Sequence, residues 1–120
     1  MLHESQEDYL EAILMIRRGR GFCRNVDIAE RLGRSKPSVT KALGNLAHRG
    51  LAEVVDRDVR LTPEGRRLAE ATFDKHRFFE SLLVEAGVDA ETASAEACRM
   101  EHCLSEDSFR KLSERLGSGR

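Results

Sequence analysis

The chain has 120 residues, 40% apolar and 34% charged, with a net charge of -1. That length suits one compact domain or two small ones sharing a core, and no run approaches the ~20 apolar residues that span a bilayer. Met1-Leu2-His3-Glu4 lacks the basic-then-apolar pattern of a signal peptide. The odd, sparse set of Cys23, Cys98 and Cys103 fits reduced thiols in a cytoplasm. The net charge hides an asymmetry. Residues 12–52 hold nine lysines and arginines against Asp27 and Glu30, a balance of +7, while residues 71–120 hold seven basic and ten acidic residues, or -3. Positive charge therefore collects where a polyanion can be held, although charge alone favours a plain solvated basic face.

In chain order, residues 5–18 read as a helix. Ser5 is its expected N-cap, with Asp8 returning the cap from the third helical position. Leu10, Ile13, Leu14 and Ile16 form the apolar stripe, and Gly19 and Gly21 end it. Asp8 and Glu11 fall at i, i+3, so both carboxylates can share a face. Asp8 also has a plain structural explanation there, since helix N-termini favour acids.

Asn25 is the expected cap of a short helix through Ile28, Ala29 and Leu32, and Gly33-Arg34 supply a turn. Ser35 caps a second helix with Pro37 in its first turn. Val39, Leu43 and Leu46 give that helix one buried stripe; Gly50 stops it, and Leu51 folds back on Leu46. Two helices about a glycine turn make a helix-turn-helix. The outer face of the second carries Lys36, Ser38, Thr40, Lys41, Gly44, Asn45 and His48, groups that reach phosphates and base edges. An ordinary helical hairpin has the same outline, so the basic segment and the next element carry the reading. Leu51–Val55 and Val59–Thr62, two β-prone runs about the polar Asp56-Arg57-Asp58, predict a hairpin, the wing of a winged helix. The expected DNA-contacting residues are Arg24, Ser35, Lys36, Pro37, Ser38, Thr40, Lys41, Asn45, Arg57 and Arg60.

Thr62-Pro63-Glu64 start a long helix running to about Ala86, with Gly87 as its stop. His76 and Glu80 lie on it at i, i+4, although a lone helical histidine is more often a surface residue. Asp89 caps a helix carrying Cys98, Glu101 and His102, placing thiol, carboxylate and imidazole at i, i+3 and i+4 on one face. That donor set suits a first-row transition metal rather than calcium or magnesium. Ser105, Glu106 and Asp107 start a last helix through Phe109, Leu112 and Leu116, and Gly117–Arg120 are expected to fray. Phe78, Phe79, Leu82, Leu83, Met100, Leu104, Phe109 and Leu112 exceed what so thin a bundle can bury alone, which predicts a homodimer through this half. Cys23 and Cys103 are expected to be small buried apolar residues.

With these residues assembled, the chain resembles the diphtheria-toxin-repressor and manganese-transport-regulator family of metal-dependent repressors, over nearly its whole length. The resemblance rests on Glu7-Asp8-Tyr9-Leu10-Glu11, Asp27-Ile28-Ala29-Glu30, Ser38-Val39-Thr40-Lys41, Leu61-Thr62-Pro63-Glu64-Gly65, Lys75-His76-Arg77 and, most specifically, Glu96-Ala97-Cys98-Arg99-Met100-Glu101-His102. It implies a mainly α fold: a winged helix-turn-helix domain over 1–70, with three helices and a β-hairpin wing, then a helical metal-binding and dimerisation domain over 71–120. The SH3-like domain of longer members is not expected within these 120 residues. It also implies a divalent metal as co-repressor for a palindromic operator near metal-uptake genes. Asp8, Glu11, His76, Cys98, Glu101 and His102 match the family's ligand positions. Glu11 is typical of the manganese branch and Cys98 of the iron branch, where the backbone carbonyl at this position also serves as a ligand. The mixed set leaves one or two ions per subunit open, and Fe(II) is favoured slightly over Mn(II). Glu80 matches an ancillary-site ligand of the iron branch, but Ser94 stands where that site has a histidine.

Three other readings of the same residues are open to test. A winged-helix oxidant sensor would use Cys98 and Cys103, with Arg99 lowering a thiol pKa. An enzyme with Cys98 as nucleophile and His102 as base lacks an oxyanion loop and an orienting third group, so no catalysis is expected. A dimeric module that never touches DNA sits poorly with the +7 segment.

Overall fold

The computed structural model describes residues 2–117. The chain forms two compact units, Met1–Glu70 and Ala71–Arg120.

The first unit holds α1 (Glu4–Arg20), α2 (Asn25–Leu32), α3 (Lys36–His48), β1 (Ala52–Val55), β2 (Asp58–Leu61) and the start of α4 (Pro63–Glu85). The stripe on α1 is wide: Tyr9, Leu10, Ala12, Ile13, Leu14 and Ile16 are all buried. They meet Ile28 of α2, Val39, Leu43 and Leu46 of α3, and Leu51 and Val59 of the wing in one core. Each such leucine, isoleucine or valine contributes about 1.5–3 kcal/mol by leaving water.

Helix starts differ from expectation at two places. α1 begins earlier than Ser5: His3 is the N-cap, and its N–H donates to Gln6 Oε1 at 3.0 Å. Gln6, three residues on, is the side chain placed to return that bond. Gly19 stays helical and Gly21, at φ 81°, stops the helix. Asp8 therefore lies in the second turn, where N-terminal capping no longer explains a carboxylate. At α2 the N-cap is Arg24 rather than Asn25, because Asp27 accepts the Arg24 N–H at 2.9 Å. α3 starts as expected: Ser35 Oγ accepts from the Ser38 N–H at 3.2 Å, and Pro37 sits in the first turn.

β1 and β2 pair antiparallel, Val54 opposite Val59 and Val55 opposite Asp58. Asp56 and Arg57, at φ 53° and 67°, make a two-residue turn of the hand that fits strand twist. Asp58 thus belongs to a strand, not to the turn. Thr62 joins wing to helix: its Oγ1 donates to Gly50 O at 2.7 Å and accepts from the Gly65 N–H at 3.1 Å. Gly65 is required here, because a Cβ would collide with the Leu51 carbonyl.

The second unit holds the rest of α4, α5 (Ala90–Met100) and α6 (Glu106–Gly117). Gly87, at φ 98°, ends α4. Asp89 caps α5, accepting from the Thr92 N–H at 3.0 Å, and Ser105 accepts from the Ser108 N–H at 3.0 Å to start α6. Phe78, Phe79 and Phe109 form an aromatic cluster, with ring centroids 5.4 Å apart for Phe78 to each of the other two. Val84, Met100 and Leu116 remain exposed. Gly117 is the last residue of α6, and the rest of the segment expected to fray lies outside the described residues. Cys23 is fully buried, whereas Cys103 is exposed, contrary to expectation. It follows the end of α5 on a turn, and its Sγ lies 3.4 Å from Arg99 O. Among the described residues no helix is long and apolar enough to cross a membrane.

Candidate metal centre and nucleic-acid interface

On α3, Lys36, Pro37, Ser38, Lys41 and Asn45 are exposed. Ser35 is committed to the cap, and its hydroxyl also bonds Ser38 Oγ at 2.9 Å. Thr40 is exposed but engaged: its hydroxyl donates to Lys36 O at 3.0 Å and accepts from Asn25 Nδ2 at 2.9 Å. Asn25 therefore braces the two helices of the helix-turn-helix, a role for which nothing in the sequence gives a local signal.

A cleft of about 630 Å³ separates α3 and the start of α2 from the wing. Its polar lining includes Arg24, Asn25, Lys36, Thr40 and Arg57, three cations and no carboxylate. Clefts lined by one sign of charge concentrate counter-charge. Arg60 lies elsewhere, in a pocket of about 370 Å³ with Arg17, Arg18 and Arg66. Its Nε bonds Asp58 Oδ2 at 3.0 Å. The structure thus groups Arg24, Lys36, Thr40 and Arg57 and separates Arg60 from them.

Asp8 and Glu11 are half-buried on α1 in the first unit, and Asp8 Oδ2 lies 3.7 Å from Arg34 Nη2. The other candidate ligands belong to the second unit. His76 projects from α4, its Nδ1 at 3.6 Å from Cys98 Sγ and 3.6 Å from Glu101 Oε2. One donor atom from each of His76, Cys98 and Glu101 lies within 4.8 Å of the others. Two metal–ligand bonds of about 2.0–2.3 Å each reach across a little over 4 Å, so small side-chain shifts let this trio share one ion.

The expected single helical face needs correction. α5 ends at Met100, and Glu101 is its C-cap. Glu101 keeps helical angles, φ -63° and ψ -18°, and so stays in line with Cys98. His102 has passed onto a turn, with its Nε2 3.6 Å from Glu101 Oε1. Glu101 is 1% exposed and flanked by two imidazoles. A buried carboxylate is costly unless positive charge or hydrogen bonds meet it, and nitrogen, sulfur and oxygen donors together match a divalent transition metal. The residues present therefore fit such an ion. Glu80 Oε2, 3.8 Å from His76 Nε2, is a further neighbour.

Residues 1–58 match the family model for the iron-dependent repressor N-terminal DNA-binding domain, and residues 62–119 that for the iron-dependent repressor metal-binding and dimerisation domain. The transcriptional regulator MntR of Escherichia coli O6:H1 is 41% identical over 116 residues, covering 93% of this chain and 75% of that protein. The iron-dependent repressor IdeR of Mycobacterium tuberculosis is 41% identical over 113 residues, covering 92% of this chain and 49% of that protein. Among solved structures, IdeR of T. acidophilum superposes with a TM-score of 0.80 at 33% identity, over 95% of this chain and 55% of that one. A manganese-dependent transcriptional repressor in complex with manganese gives 0.82 at 31% identity, over 93% of this chain and 52% of that one. The chain spans three quarters of the MntR relative and about half of IdeR. It belongs to the iron-dependent repressor family of metal-dependent, DNA-binding transcriptional repressors.

Proposed function

We propose that this repressor acts in the cytoplasm as a homodimer on a palindromic operator, with a divalent transition metal as co-repressor held by His76, Cys98 and Glu101. The convergence of those three donors within one unit carries the reading. His102, beside Glu101, and Asp8 and Glu11, which match the family's motif on α1, complete the ligand set. Cys98 favours Fe(II) slightly over Mn(II), since a thiolate is a softer ligand than the oxygens around it.

The bound ion supplies positive charge that reverses the repulsion among the carboxylates. Asp8 and Glu11 belong to α1 of the DNA-binding unit, so their engagement biases that unit toward the arrangement in which two copies of α3 meet successive major grooves, ~34 Å apart. The effect is a population shift: the ion acts to the extent that it favours the DNA-competent state. Pro37, Ser38, Lys41 and Asn45 face the duplex, and Arg24, Lys36 and Arg57 hold its backbone.

Glu101→Ala is expected to abolish the metal response of DNA binding while the apoprotein still melts cooperatively. An unchanged metal response in that variant contradicts the assignment.

A further inference from the structure

Lys75 is 4% exposed, and a lysine is almost never buried this far without a reason. Its Nζ donates to the carbonyl of Leu104 at 2.8 Å. Leu104 belongs to the turn between α5 and α6 that also carries Glu101 and His102. The Glu101 N–H meets Ala97 O at 2.9 Å and the Cys103 N–H meets Met100 O at 3.1 Å, while the His102 N–H reaches Arg99 O at 3.5 Å. A backbone carbonyl on a turn has no helical partner, and a buried cation is stable only where such an acceptor meets it. α4 thus presents two neighbouring side chains to one turn: His76, beside Glu101, and Lys75, which pins the backbone three residues further on.

We infer that Lys75 is a positioning residue for the metal centre, a brace from α4 that fixes the turn bearing Glu101 and His102 so that their side chains meet the ion in a set geometry. The inference rests on the ligand assignment proposed above. Groups that orient metal ligands without touching the metal typically contribute 10–100-fold to affinity.

The test compares wild type, Lys75→Met and Lys75→Arg by titration with Co(II), reading both affinity and the visible spectrum, alongside thermal melting of each apoprotein. Lys75→Met keeps the apolar stem and loses the donor; it is expected to bind Co(II) at least about 10-fold more weakly, with altered visible bands. Lys75→Arg keeps a donor for the carbonyl and is expected to recover most of the loss. If Lys75→Met does not fold, Lys75→Gln replaces it, a shorter side chain expected to show the same loss. Affinity and spectrum matching wild type in the variants overturn the inference, as does a lower apoprotein melting temperature with unchanged Co(II) binding. A wild-type protein that binds no Co(II) overturns the ligand assignment instead.

Discussion

Arg17 on α1 and Asp58 on the wing, far apart in sequence, meet through a 2.6 Å ion pair between Nη1 and Oδ1. Asp58 also accepts the Cys23 N–H at 2.9 Å, and Arg17 Nη1 lies 3.3 Å from Val59 O. The wing is thereby tied to the helix that carries Asp8 and Glu11. This makes Asp58 an anchor between the wing and α1.

The Cys23 N–H first, and then Arg17, hold the Asp58 carboxyl down from 3.8 to about 2. A depressed folded-state pKa contributes stability that is present above the ordinary value and lost as pH falls through the folded value. Wild type is therefore expected to lose this contribution between about pH 4 and pH 2. Asp58→Asn should melt several degrees lower at pH 7 and show a shallower decline in that window. Parallel melting curves for the two proteins from pH 7 to pH 2 contradict the anchor.

The DNA face separates charge from geometry. Lys41 is exposed on α3, and Lys41→Ala should weaken binding to all duplexes and lower the salt slope by about 1. Asn25→Ala removes the brace to Thr40 without removing a cation. It should weaken operator binding several-fold with the salt slope unchanged. Anisotropy titrations at a series of salt concentrations distinguish the two, and a reduced slope for Asn25→Ala contradicts the brace.

Cys23 should react very differently from Cys98 and Cys103. Burial pushes the Cys23 thiol up to about 12, while Cys98 and Cys103 are exposed. The thiolate is the reactive form, so iodoacetamide at pH 8 should modify Cys98 and Cys103 in the folded protein and Cys23 only on unfolding. Co(II) should protect Cys98 selectively. Equal modification of Cys98 with and without metal removes its thiol from the ligand set and leaves its carbonyl as the donor.

Most of the first unit is legible in the sequence because its cues are local: Ser35 with Pro37, Gly33, Gly50, and the apolar spacing through Leu46. Caps misled where two side chains compete. Ser5 and Asn25 are good capping residues, but Gln6 and Asp27 return the cap to the earlier residues His3 and Arg24. At the metal centre, the spacing placed Cys98 and Glu101 on one face, while the end of α5 at Met100 sent His102 onto a turn; His76, on another helix, was named only by the family resemblance. The brace from Asn25 to Thr40 and the one from Lys75 to Leu104 each join residues far apart in the chain, and no sequence spacing encodes them.

The most direct measurement is an anaerobic anisotropy titration of a palindrome from the protein's own promoter with Fe(II), Mn(II), Co(II) and Zn(II) in turn, run beside Cys98→Ala. Metal is expected to tighten DNA binding, and Cys98→Ala to shift the metal order toward Mn(II). Tight binding indifferent to every metal, yet lost on oxidation and restored by thiol reductant, would contradict it and leave a thiol sensor in its place.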